Sequence, residues 1–119
     1  MFENSSEETA YHKLLILYIL YKIKMDLTNS QITQVVLETE MMNYFSLQQL
    51  LSQLMESKFL KIYKDSDKEY YCLTQRGLET LESLMLKIPM DSANKVDHYI
   101  KLNKESLLAE TQVKSSFVK

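Results

Sequence analysis

Glycine and proline occur once each in 119 residues, as Gly77 and Pro89. A chain this poor in glycine has no glycine-rich loop with which to cradle a phosphate. It also lacks the residues from which long irregular loops are built, which predicts helices joined by short polar connections. Cysteine is as scarce: Cys72 stands alone, which excludes an internal disulfide and fits a reducing compartment. The two histidines, His12 and His98, lie far apart with no His or Cys at ligand spacing, so no metal centre is expected. The apolar run from Leu14 to Leu20 is too short to span a bilayer, and Glu3, Glu7 and Glu8 precede it where a secretory leader carries basic residues. The expectation is a cytoplasmic protein with no membrane association, no catalytic residues and no cofactor.

Against these absences, 45% of the residues are hydrophobic and 25% charged, an ordinary globular balance. That apolar share can offset chain entropy, and the length suits one compact domain with an appendage. Ser5 and Glu8 have the spacing of a capping box ahead of a helix centred on Tyr11 to Lys24. Its apolar residues cover most of the circumference, so burial on several sides is expected. Thr28 and Gln31 form a second box, opening a helix through Ile32, Val35 and Val36 that ends near Glu38 or Thr39. A third helix starts near Tyr44 and carries the stripe Leu47, Leu50, Leu51, Leu54 and Met55.

The period then changes. Phe59 to Tyr63 and Tyr70 to Leu73 are β-prone runs around Lys64–Lys68, which predicts a hairpin; with no glycine in the turn, a loop longer than two residues is expected. Thr74 is positioned to cap a fourth helix with the stripe Leu78, Leu81, Leu84 and Met85, stopped by Pro89. Gly77, at its third position, is expected where the helix start approaches another backbone. From Asp91 to Ala109 the chain is polar with a thin apolar stripe of Val96, Tyr99, Ile100, Leu107 and Leu108, which suggests a solvent-facing or a dimerisation helix. A homodimer is expected through the first helix, through Val96, Tyr99, Ile100 and Leu107, or through both. Residues 110–119 read as a frayed end or an edge strand.

Three helices, a hairpin and a fourth helix define an α+β, mostly helical class, the winged helix-turn-helix, with the hairpin as wing and a C-terminal helix appended. The corresponding division is 1–89 for the winged domain and 90–119 for the C-terminal helix and tail. Leu27 to Ile32, Leu50 to Leu60 and Tyr71 to Leu78 carry the likeness, the last resembling the Y-x-L-T-x-x-G stretch of winged-helix regulators. The pattern resembles PadR-like and MarR-like regulators. More closely, it resembles an uncharacterised bacterial winged-helix family of unknown function over roughly Phe2 to Leu108. The resemblance implies a DNA-binding transcriptional regulator, and a C-terminal region that continues beyond a first strand in the tail.

In such a protein the exposed face of the third helix lies in the major groove of double-stranded DNA. Here that face presents Tyr44, Ser46, Gln48, Gln49, Ser52, Gln53 and Glu56, with glutamine able to pair with adenine and no arginine to read guanine. Ser30, at the start of the second helix, can meet a phosphate, while Thr28 caps. Lys58, Lys61, Lys64, Lys68 and Arg76 cluster around the wing, offset by Glu56, Asp65, Asp67 and Glu69 within a net charge of -2. The acidic balance and the many tyrosines also fit a winged-helix module that binds protein in place of DNA. A small-molecule effector would sit between the first and C-terminal helices, and no residue names one. Cys72 reads as a small strand filler, and His12 as a helix-surface or partly buried residue.

Overall fold

The first helix carries too many apolar residues to leave a solvent face, and the rest of the chain is arranged around it. A computed structural model describes the backbone of residues 7–118 and the side chains of residues 7–107, so the Ser5 cap lies outside the described residues. In α1 (Glu7–Ile23), Leu14 through Leu20 and Ile23 are buried. Packed on it are α4 (Gln75–Leu84), α5 (Met90–Val118) and the second hairpin strand. Each leucine or isoleucine so buried stabilises the fold by about 1.5–3 kcal/mol.

The cap residues set the helix starts. For α2 (Asn29–Glu38), the Thr28 hydroxyl accepts the Gln31 N–H at 3.1 Å and the Gln31 side chain accepts the Thr28 N–H at 2.9 Å, completing the expected capping box. For α3 (Tyr44–Glu56), Asn43 Oδ1 accepts the Ser46 N–H at 2.8 Å. The helix ends are less usual. Lys24, Glu40 and Lys58 take φ of 60°, 57° and 67°, the left-handed region that glycine fills in most proteins. At Glu40 and Lys58 the following N–H groups reach back, Met41 to the Val36 carbonyl (3.1 Å) and Phe59 to that of Leu54 (2.9 Å). These bonds satisfy carbonyls that would otherwise be left over, and they hold non-glycine residues in a strained conformation.

The hairpin departs from expectation. Strands β1 (Leu60–Asp65) and β2 (Lys68–Leu73) pair antiparallel from Leu60↔Leu73 to Asp65↔Lys68, which leaves a turn of only Ser66 and Asp67. Both have positive φ, 53° and 70°. The longer loop inferred from the missing glycine is therefore incorrect: the right-handed strand twist favours a tight turn of this hand, and Asp tolerates the left-handed region better than most residues. Leu27 lies on the other edge of β2, donating to the Tyr71 carbonyl at 3.3 Å and accepting its N–H at 2.7 Å. What read as a short break between α1 and α2 is thus a one-residue bridge that fixes the hairpin against the helices.

Thr74 caps α4 as expected, accepting the Gly77 N–H at 2.9 Å. After α4 a 3-10 turn, Met85–Lys87, precedes Pro89. Neither glycine nor proline follows Pro89, and α5 continues to Val118. The tail is helical, which corrects the edge-strand expectation. Val96, Tyr99, Ile100 and Leu107 are buried in the same core as α1. The stripe assigned to dimerisation is covered by the chain's own α1 and α2. A thin apolar stripe on a polar helix suffices to dock that helix on a core. Tyr18 Oη donates to Asp97 Oδ1 at 2.8 Å, further tying α1 to α5. Among the described residues no helix is long and apolar enough to cross a membrane.

Candidate nucleic-acid interface

Leu47, Leu50, Leu51 and Leu54 bury the inner side of α3, so helical geometry dictates its outer ridge: Phe45, Gln49, Ser52 and Glu56, at i, i+4, i+7 and i+11. All four are exposed, Phe45 at 70% and its neighbour Tyr44 at 56%. Phe45 is absent from the set drawn from the sequence because a polar criterion passes over it. Its place off the leucine stripe is the signal that marks it. Gln53 is exposed on one flank and Ser46 half-buried.

Gln48, half-buried, is tied to the start of α2. Its side chain exchanges two hydrogen bonds with Asn29, at 2.8 and 3.1 Å, and Asn29 also donates to Tyr71 Oη at 3.3 Å and accepts from Thr33 at 3.1 Å. One side-chain cluster therefore fixes α3 against the start of α2 and against β2. The Gln48 amide edge that could pair in a bidentate fashion with a base is engaged by Asn29. Ser30, next to Asn29, is exposed at the N-terminus of α2.

On the hairpin, strand alternation divides the lysines. Lys61 and Lys68 share a face with Tyr63, whereas Lys64 points to the other. Register also places an acid across from two of them: Asp65 opposes Lys68 and Glu69 opposes Lys64, while Lys61 stands opposite Cys72. All three lysines are exposed, but they do not form one positive surface. Tyr63 donates to Asp26 Oδ2 at 2.6 Å and stacks on Tyr70 with centroids 5.6 Å apart, which anchors the hairpin to the α1–α2 connection. That carboxylate bond, with burial, raises the Tyr63 phenol well above its usual range. Arg76, at the start of α4, is exposed with its guanidinium 5.6 Å from the Phe59 ring centroid.

Burial, with Asp26 nearby, raises the Cys72 thiol, so it stays protonated at neutral pH and lacks thiolate reactivity. His12 is half-buried, 4.0 Å from Glu8. Among the described residues no group of His, Cys, Asp or Glu is placed to hold a metal ion. A cleft of about 270 Å³ opens between the end of α2 and α5, lined by Glu38, Glu40, Lys95, His98, Tyr99 and Leu102. It lies beside α2, away from the α1–α5 contact where an effector pocket was expected.

Residues 12–119 match the family model described as Domain of unknown function (DUF4364), and the chain belongs to that family. No curated protein and no solved structure matches it. Among the described residues, the α+β order of five helices and one antiparallel hairpin is compatible with a winged-helix-like arrangement.

Proposed function

We propose that this chain is a winged helix-turn-helix protein that binds double-stranded DNA as a transcriptional regulator without catalytic activity. In this reading α2 and α3 form the helix-turn-helix, α3 lies in the major groove, and the β1–β2 hairpin is a wing on the phosphate backbone. The observation that carries it is the outer ridge of α3. It is exposed along its length, while the Asn29–Gln48–Tyr71 network and the Tyr63–Asp26 bond hold that helix and the hairpin in fixed relation. A reading helix needs such a frame, because base contacts tolerate little misplacement.

The charge pairing across the hairpin limits affinity. With few uncompensated cations, one copy binds weakly and with strong salt dependence, at a dissociation constant on the order of micromolar. A homodimer doubles the contacts and sets half-site spacing. With the α5 stripe buried, its contact draws on exposed apolar positions such as Leu86, Met90 and Leu102. A second reading, a protein-binding module, is favoured by the exposed Tyr44 and Phe45, since aromatic residues are enriched at protein interfaces.

Fluorescence anisotropy of a labelled random duplex, titrated at low and then moderate salt, separates the two. Binding that falls steeply with salt supports the regulator; none at low salt supports the protein module. Lys61→Glu and Lys64→Glu are to be made separately, because they lie on opposite faces of the hairpin. The face that meets the backbone is the one whose variant weakens binding to every sequence and lowers the salt slope by about 1. Unchanged affinity in both removes the wing from the interface.

A further inference from the structure

We infer that the sites this chain prefers are A·T-rich beneath α3, with Phe45 packing on thymine C5-methyl groups and Gln49 pairing with adenine. The inference deepens the DNA-binding reading and rests on it. From Tyr44 to Glu56 there is neither lysine nor arginine, so α3 lacks the side chains that most often read guanine. Phe45 occupies the second position of α3 and is 70% exposed. The N-terminal residues of a recognition helix are those that meet base edges. In the major groove the apolar group presented by a base edge is the thymine methyl, which gives an exposed phenylalanine its complement there.

Gln49 lies one turn further along the same ridge and is exposed. Its amide matches the N6 and N7 pattern of adenine. Gln48 is already bonded to Asn29, so the assignment falls on Gln49 and not on its neighbour. Ser52 comes next and accepts either base pair. Glu56 ends the ridge with a negative charge that phosphates repel, which favours tilting the N-terminal half of α3 into the groove.

The test uses the full chain and defined duplexes. Binding-site selection from a random pool is followed by anisotropy on three duplexes: one with an A·T core, one with a G·C core, and the A·T duplex with deoxyuridine in place of thymidine. The expected result is A·T over G·C by about fivefold or more. Uracil is expected to weaken binding by about fourfold per contacted methyl. Phe45→Ala, checked for an unchanged thermal transition, is expected to bind the thymine and uracil duplexes equally. Salt-sensitive binding that is equal for A·T and G·C cores, or for thymine and uracil, overturns the base preference and leaves DNA binding standing. No binding to any duplex at low salt overturns both. The thymine–uracil comparison needs no variant, so a poorly folded Phe45→Ala does not weaken it.

Discussion

Replacing Gly77 with alanine sets two known effects against each other, and the structure decides between them. In an open helix the change is favourable, by about 1 kcal/mol at most. Here the added Cβ would lie 2.2 Å from the Phe59 carbonyl oxygen, and 3.0 Å from both its carbon and Leu73 Cδ1. The start of α4 must therefore retreat from Phe59 by about 1 Å to reach ordinary contact distance. That same carbonyl accepts the Thr74 N–H at 3.1 Å and lies 3.1 Å from the Thr74 hydroxyl, whose oxygen caps Gly77. Retreat thus stretches the cap that starts α4. Overpacking costs about 1–3 kcal/mol and a lost cap about 1 kcal/mol. The net expectation for Gly77→Ala, after the helix-propensity gain, is destabilisation by about 1–3 kcal/mol. Urea unfolding followed by far-UV circular dichroism would show the midpoint falling by about 1–2 M with an unchanged slope. Ser83→Ala, on the exposed side of the same helix, is the control and is expected within about 0.5 kcal/mol of the parent. A Gly77→Ala midpoint equal to or above the parent's refutes the close-approach argument.

Glu40→Gly relieves a left-handed residue at the end of α2 and is expected to stabilise by about 0.5–1 kcal/mol after the unfolded-state entropy loss, measured by the same midpoint. Ile100→Asp places a charge in the core and is expected to abolish cooperative unfolding; a folded monomer by circular dichroism and sedimentation would instead return the α5 stripe to a dimer interface. Burial and the hydrogen bond to Asp97 push Tyr18 up to about 12 from 10.0. Between those values the unfolded chain has lost a proton that the folded one retains, so stability falls as pH rises from about 10 to 12. Tyr18→Phe is expected to flatten that fall, and an unaltered alkaline slope would exclude Tyr18 as its source.

Local patterns were legible wherever local chemistry decides the outcome. The Thr28 and Thr74 caps, the leucine stripe of α3 and the approach at Gly77 all follow from spacing along a single segment. What was missed has separate physical causes. With one glycine in the chain, left-handed positions are filled by Lys24, Glu40, Lys58, Ser66 and Asp67, residues that give no warning in a sequence. The tight hairpin turn was missed for that reason. The stripe Val96, Tyr99, Ile100 and Leu107 was read correctly as an apolar face, but periodicity alone does not say whether such a face meets its own core or another chain. The Leu27–Tyr71 bridge is one residue long, too short to leave any alternation.

The candidate site divides along the same line. Which residues face outward on α3 follows from helical period, and Gln49, Ser52 and Gln53 are exposed where the pattern put them. Which of them has a free hydrogen-bonding edge depends on the α2–α3 crossing, and that geometry gives Gln48 to Asn29. The hairpin lysines show the converse. Counted along the chain they form a cluster, but pairing register sets Lys64 against Glu69 and Lys68 against Asp65 and turns Lys61 to the opposite face from Lys64. On the DNA-binding reading, a helix whose one charge is Glu56, beside a hairpin whose Lys64 and Lys68 face acids, gains little from the uniform attraction to phosphate that draws basic proteins to any duplex. On that reading, affinity rests on base-edge contacts and on the proposed second copy. Salt dependence and base preference, measured on the same duplexes, are therefore the pair of observables on which the DNA-binding reading turns.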